Sequence, residues 1–321
     1  MKRLAILLVY FSFCLLGSAQ INLQDSTVQV VAYWDLGEKH KYSYQSQEYE
    51  VQGQDTIWGD FHSSDFTLEV LDSTANSYVV ECRVLEYENH CTDSLEQRVV
   101  DFVASITSNI PIRYQTNELG QFQDFVNWEE QCHVIDSIIP LVNDMMIEDM
   151  PELKTIPEDT LAMLKNVVTH MMSVLKNKST MVASYKELFF PLYYHGAKLQ
   201  LDKRYESAQK FSSPWLPNDV IDGSLEFEVA RYNPETNWVT FHLTKSWNTD
   251  MLLESFLRYM KQVIPDMEDN NLQDSYVFAE SFFELAVHVT SGWPGYAFER
   301  VVTQTGKNQK VEEWEVELVF E

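Results

Sequence analysis

Two dipeptides in this chain, His90-Cys91 and Cys132-His133, hold the residue types of a tetrahedral zinc site. Their spacing does not suit one, because zinc ligands of this class come as cysteine pairs roughly two to four residues apart. Here about forty positions separate the two dipeptides. The acidic run Asp266-Met267-Glu268-Asp269-Asn270-Asn271 lacks the alternating ligands and central glycine of a calcium loop, and reads as an exposed loop. The sequence also holds no Gly-x-Ser-x-Gly elbow, no His-Glu-x-x-His and no phosphate-binding glycine loop, so neither a metal nor a cofactor is expected. Among the histidines, His170, His242 and His288 fall within regular elements, where a hydrogen-bonded structural imidazole is the ordinary outcome. His195, followed by Gly196, is the residue best placed to act as a base, and a hydrolase would need an acid and a nucleophile beside it. No catalytic residue is assigned.

Binding is better represented than catalysis. The run Phe189-Phe190-Pro191-Leu192-Tyr193-Tyr194 concentrates four rings in six residues. With Trp215 and Trp247 it forms the candidate site for an apolar small molecule or lipid: Phe189, Phe190, Tyr193, Tyr194, Trp215 and Trp247. The competing role for these rings is plain core between sheet and helices.

The compartment follows from the first twenty residues. Lys2 and Arg3 precede the apolar run Leu4 to Leu16, and Gly17-Ser18-Ala19 offers a cleavage site before Gln20, which is the layout of a secretory signal peptide over 1–19. That run of 13 residues is shorter than the roughly 20 that cross a bilayer. Phe13 stands before Cys14, where lipid modification requires a small residue. A soluble chain, periplasmic or extracellular and with no transmembrane segment, is therefore expected. Cleavage leaves Cys82, Cys91 and Cys132 in an oxidising compartment, enough for one internal disulfide. Cys82 lies on a strand and shares a face with Val80 and Val84, so the preferred bridge is Cys91–Cys132.

Mature residues 20–321 carry 21 basic and 49 acidic side chains, a net charge of −28. Such a balance opposes nucleic acid and anionic membrane surfaces. It fits a solvated acidic surface, or a scaffold that docks a basic protein partner. A hydrophobic share of 45% with 8 Trp, 16 Tyr and 18 Phe indicates a globular body, not a disordered tail.

The elements that must position these residues alternate between hairpins and helices. Phe66 to Val70 and Tyr78 to Val84 flank the turn-forming run 72–77 as a hairpin. Leu95, Val99, Phe102 and Ile106 then recur at helical spacing after Asp93, and Ile112 to Gln115 with Gln121 to Phe125 make a second hairpin. Residues 128–178 read as two helices broken around Pro151 and Pro157, with a kink expected at Pro140. In the second half, Leu225 to Val229 and Trp238 to Leu243 form a hairpin. A helix follows, capped by Asn248 or Thr249 and carrying Leu252, Phe256, Met260 and Val263. A further helix is predicted over Ser275 to Thr290, before a terminal hairpin in which Trp314, Val316, Leu318 and Phe320 alternate with Glu313, Glu315 and Glu317.

The fold class is α+β, with antiparallel hairpins in a curved sheet packed on helices. Its organisation is a signal peptide over 1–19, an N-terminal half over 20–180 and a C-terminal half over 181–321, the halves forming one continuous domain or two packed ones. Glu69-Val70 to Tyr78-Val79 matches Glu228-Val229 to Trp238-Val239 with one inserted residue, so the halves read as two pseudo-repeats of hairpin, helix and hairpin.

At Tyr114-Gln115-Thr116-Asn117-Glu118-Leu119-Gly120-Gln121-Phe122, continuing to Asn127-Trp128-Glu129-Glu130, the chain resembles a group of exported bacterial proteins of unknown function. Ser291-Gly292-Trp293-Pro294 and Leu36-Gly37-Glu38-Lys39 carry the same resemblance. It implies an exported α+β protein and no particular chemistry. By element order alone the chain is also similar to periplasmic lipoprotein carriers, in which a curved antiparallel sheet wraps around helices and shelters an acyl chain. Taken together, these readings favour a non-enzymatic envelope protein that binds an apolar or amphipathic ligand, over an acidic scaffold and over a hydrolase.

Overall fold

Alternation of side chains across an extended backbone governs most of the described chain, and it produces strands longer than the short hairpins visible in the sequence. The computed structural model describes residues 21–149, 195–263 and 277–320, apart from positions 23, 108–109, 214 and 217–218, together with isolated residues between 157 and 178. The signal segment, the Phe189–Tyr194 run and most of the second expected helix of 128–178 lie outside the described residues.

In the first half, β3 (Lys39–Gln52), β4 (Asp55–Ser73) and β5 (Ser77–His90) form a meander, followed by α1 (Ser94–Thr107), β6 (Ile112–Asn117), β7 (Phe122–Phe125) and α2 (Trp128–Asp149). The second half runs β9 (Arg204–Ser212), β10 (Val220–Asn233), β11 (Trp238–Trp247), α3 (Thr249–Val263), β12 (Val277–His288), β13 (Pro294–Thr305) and β14 (Asn308–Val319). Asn248 caps α3 as expected, its side-chain oxygen accepting from the Met251 amide at 3.0 Å. These strands make one antiparallel sheet of eleven in the order β7-β6-β5-β4-β3-β14-β13-β12-β11-β10-β9. The sheet is open, with β7 and β9 at its edges. A small second sheet, β1 (Ile21–Asn22), β2 (Thr27–Gln29) and β8 (Lys198–Gln200), packs beside it.

The helix expected over residues 275–290 is corrected to strand β12. Val277, Ala279, Ser281, Phe283, Leu285 and Val287 are buried in strict alternation with more exposed neighbours. Because Phe278, Phe282 and Ala286 put apolar atoms on the outer face as well, the segment carries apolar residues at helical spacings too, and pairing with β11 and β13 decides between the periods. Strand β9 gave no signal in the sequence. It is polar and exposed along most of its length, as suits an edge.

The two meanders meet at β3 and β14, paired antiparallel from Lys41↔Val319 to Gln52↔Asn308. This seam joins the start of the first half to the end of the second, and makes one sheet of both. Across it the inner face buries Tyr42, Phe66, Leu68, Val70, Phe241, Phe283 and Leu285 in a single core. On the opposite face Glu81 is 7% exposed between Arg83 at 2.7 Å and Arg113 at 2.9 Å. Burial raises the Glu81 pKa, but the two guanidiniums outweigh it and hold the carboxyl below its ordinary range. The contribution of this triad is thus complete above the unfolded carboxylate pKa and is lost as pH falls through the lower folded one.

One end of the sheet is tied by a buried imidazole. His195 is fully buried and its Nε2 donates to the Gly292 carbonyl in the β12–β13 turn at 2.8 Å. Its own carbonyl accepts from Gln121 Nε2, in the β6–β7 turn, at 2.6 Å. Residues 32–34 lie between the same turns: the Ala32 amide donates to the Leu119 carbonyl and the Tyr33 amide to the Ser291 carbonyl. Trp34 stacks on Trp293 with centroids 4.5 Å apart. The short turn motifs Asn117–Gln121, His195-Gly196 and Ser291–Pro294 therefore meet at one place. A side chain at Gly120, with φ of +92°, would come within 2.7 Å of the Ala32 Cβ, and one at Gly292, with φ of +75°, within 2.5 Å of the Val31 carbonyl oxygen. Gly292→Ala is expected to lower unfolding stability by about 2 kcal/mol or more in urea titration, from strain and the displaced Val31 backbone; a change under about 0.5 kcal/mol would mean that the turn is not held as described.

Candidate functional site

Along the inner face, successive rows of residues can be read directly from strand register. Toward the tied end, Phe241, Leu285, Ala297, Val316 and Tyr44 stand side by side on β11, β12, β13, β14 and β3. The next row is Leu243, Phe283, Glu299, Trp314, Ser46 and His62. The third is Lys245, Ser281, Val301, Glu312 and Glu48. An apolar wall thus gives way within two rows to a polar one. Where it does, the surface hollows into a cavity of about 500 Å³ bounded by Tyr44, His62, Lys245, Trp247, Ser281, Glu299, Val301, Glu312 and Trp314, among others. That volume is in the range of small-molecule sites, about 300–1,000 Å³.

Helices lie on the same face to either side of the hollow. α3 packs Leu252 and Phe256 on Ile221, Val277 and Ala279, two residues along β12 from Ser281. α1 is held at the end of β5, where the Asn89 side chain donates to Asp101 Oδ1 at 3.1 Å and Gln97 donates to the Asn89 carbonyl at 2.8 Å. Asn89 Oδ1 also lies 3.0 Å from His62 Nδ1, so the helix is tied to the cavity wall.

The floor of the cavity is a clamped carboxylate. Glu299 is 5% exposed, and its Oε1 accepts from the Ser281 hydroxyl and from Lys245 Nζ at 3.2 Å. Its Oε2 accepts from the indole Trp314 Nε1 at 3.2 Å. A buried carboxylate without such donors would cost several kcal/mol, so these three contacts allow a glutamate in an otherwise apolar period. Ser281 donating to a carboxylate has the outline of a base-assisted nucleophile. Yet Ser281 is 1% exposed, and the Glu299 carboxylate that accepts from it is also occupied by Lys245 and Trp314. The arrangement fixes Lys245 and Trp314 in place; it does not present a hydroxyl to a substrate.

Of the candidate binding residues, Trp247 lines the cavity, its Nε1 donating to the Ser212 carbonyl at 3.1 Å and its ring lying 5.0 Å from that of Phe211. Trp215 packs edge-on to Phe256 at 5.1 Å, in the apolar cluster beneath α3, against which Trp247 also packs. Phe189, Phe190, Tyr193 and Tyr194 lie outside the described residues. His195, the candidate base, is the buried tie between turns and is remote from this cavity's lining. Cys91 and Cys132 are half-buried thiols in this structure. Burial pushes the Cys82 thiol up to about 12, which keeps it protonated and unreactive. Among the described residues there is no cluster of three or more His, Cys, Asp or Glu that could hold a metal, and no helix long and apolar enough to cross a membrane.

Sequence reasoning missed Lys245, Ser281, Glu299 and Trp314 as a set. The available signal was a polar intruder in an inward-facing period: Leu243-x-Lys245-x-Trp247 on β11 and Ala297-x-Glu299-x-Val301 on β13. Without the register across three strands, nothing shows that these intruders face one another.

No protein-family model matches the chain, and no curated protein matches it. Among solved structures it is similar to one described as lipid–protein interactions in lipovitellin, with 9% identity and a TM-score of 0.40. The match covers 90% of this chain and 26% of the other, so the chain spans about a quarter of that protein's length.

Lys245→Met should destabilise the fold by about 2 kcal/mol in urea denaturation, because it removes one donor from a buried carboxylate. Adding Glu299→Gln should restore at least half of that loss; simple additivity of the two substitutions would show that the pair does not act as a unit.

Proposed function

We propose that this is an exported, non-enzymatic protein that holds an apolar or amphipathic ligand in the inner-face cavity. The observation that carries the reading is the change of wall chemistry inside one hollow. Tyr44, Trp247, Val301 and Trp314 supply apolar and aromatic surface, while Lys245, Glu299 and His62, with Glu48, Asp60 and Glu312 among others, supply polar and charged groups. Sites for small organic ligands likewise set apolar walls beside placed polar atoms. Convergence of the β6–β7 and β12–β13 turns supports a curved sheet, since five spacings of about 4.8 Å would separate β6 from β13 if it were flat. A sheet drawn together at one end leaves its inner face open at the other, where the cavity lies. Export follows from the basic, apolar and small-residue sequence of 1–19 and from the resemblance to exported bacterial proteins.

The pseudo-repeat belongs to the same reading. Placing Val70 on Val229 aligns β4–β5–α1–β6 with β10–β11–α3–β12, and in each half the helix is inserted between two neighbouring antiparallel strands. Each hairpin also bulges at the same point, with Leu71 skipped after Val70 and Ala230 after Val229. Along the sheet the second half precedes the first, so two like units stand in tandem and the cavity straddles their junction.

A neutral apolar dye such as N-phenyl-1-naphthylamine is expected to bind the mature protein with one site per chain. Val301→Trp, which fills the hollow, should weaken that binding by about tenfold or more, read by fluorescence titration. Equal binding by the wild-type and filled variants would contradict the reading.

A further inference from the structure

The chemistry of the cavity wall also selects the charge of a ligand's polar end. We propose that the cavity takes an amphiphile with a cationic head, an alkylammonium or quaternary ammonium, whose chain lies on Tyr44 and Trp314 toward the core. This rests on the binding role proposed above and adds the sign of the head group.

The sign follows from a comparison of charges among the described residues of this face. Glu48, Asp60, Glu299 and Glu312 line the hollow, with Lys245 among them and Lys310 beside them. Lys245 is engaged with Glu299 at 3.2 Å. Lys310 is shared, 3.0 Å from Glu48 and 3.0 Å from Glu312. A fifth lining carboxylate, Glu313, is paired with Arg300 at 3.1 Å; the other four face two lysines, and the excess charge lies on the β4–β3–β14 side. Asp60 stays ionised well into acid, because the Thr92 amide donates to it at 2.7 Å, with the Thr92 hydroxyl at 3.0 Å. Burial alone would lower the Lys310 pKa, but its bonds to Glu312 and Glu48 outweigh that and raise it, so Lys310 stays cationic across neutral pH.

Two further features favour a cation. Trp247 bounds the same hollow, and an ammonium is attracted to the face of an aromatic ring. The chain as a whole carries a formal charge of −26, which disfavours the approach of an anionic amphiphile. A neutral head group would gain from neither.

The test compares three surfactants of equal chain length below their micelle concentrations, titrated into the mature protein by calorimetry: decyltrimethylammonium, decyl sulfate and decyl maltoside. The ammonium is expected to bind at least about tenfold more tightly than the other two. That preference should fall at least about threefold in Asp60→Asn, or in Glu312→Gln should Asp60→Asn fail to fold, and likewise in the wild-type protein between about 20 mM and about 500 mM salt. Equal or tighter binding of the sulfate or the maltoside overturns the inference about the head group while leaving the cavity as a binding site. Binding of none of the three overturns both.

Discussion

The structure depends on one buried histidine joining turns that are far apart along the sheet. An open sheet of eleven strands has no intrinsic reason to bring β6 near β13, and among the described residues no strand pairing does so. His195 spans the gap with its ring on the Gly292 carbonyl and its own carbonyl on Gln121, and residues 32–34 fill the remainder through two backbone hydrogen bonds and the Trp34–Trp293 stack. Removed from water and bonded to a carbonyl through Nε2, the imidazole is held as a structural donor. The apolar rows next to this tie can then form one core with strands of both halves, instead of two separate sheet faces.

From that end the inner face follows a simple rule of register. Each strand keeps the same set of residues inward, so a polar residue at an inward position must find partners on adjacent strands or lose several kcal/mol to desolvation. Glu299 finds Ser281, Lys245 and Trp314, all on β11, β12 and β14 at neighbouring positions. The network occupies the boundary between core and hollow, and it keeps an ammonium and an indole ring standing at the cavity wall. The β3–β14 seam is what brings the acidic residues of the first half to the same hollow. Its pairing joins residues more than 250 positions apart in the chain, so the site can assemble only after both halves have folded onto each other.

Local chemistry in the sequence was legible where one period dominated. The hairpins around 72–77 and 233–237, the helix capped by Asn248 and the alternating final strand all lie where their turn residues and spacing put them. The β12 segment was not, because Phe278 and Phe282 on its outer face blurred a period of two, and only pairing with β11 and β13 settles it. The glycine turns were visible as motifs, but their meaning was not: Gly120 and Gly292 matter because Ala32 and Val31 press on them, a contact across about 90 and 260 residues of chain. The cavity was hidden for the same reason. Trp247 could be picked out as an aromatic residue, whereas Glu299 looked like one of 49 acidic side chains until register placed it inward.

In the proposed role, the protein meets its ligand in the hollow at the apolar-to-polar boundary of its open sheet. Photo-crosslinking with a decyl amphiphile bearing a diazirine on its chain, followed by peptide mapping, addresses that assertion most directly. Label is expected on the inward residues of β3, β13 and β14, with Tyr44, Val301 and Trp314 foremost, and competition by unlabelled amphiphile should remove it. Label confined to exposed residues that do not line the cavity, such as Leu36, Trp58 and Leu85, would contradict it.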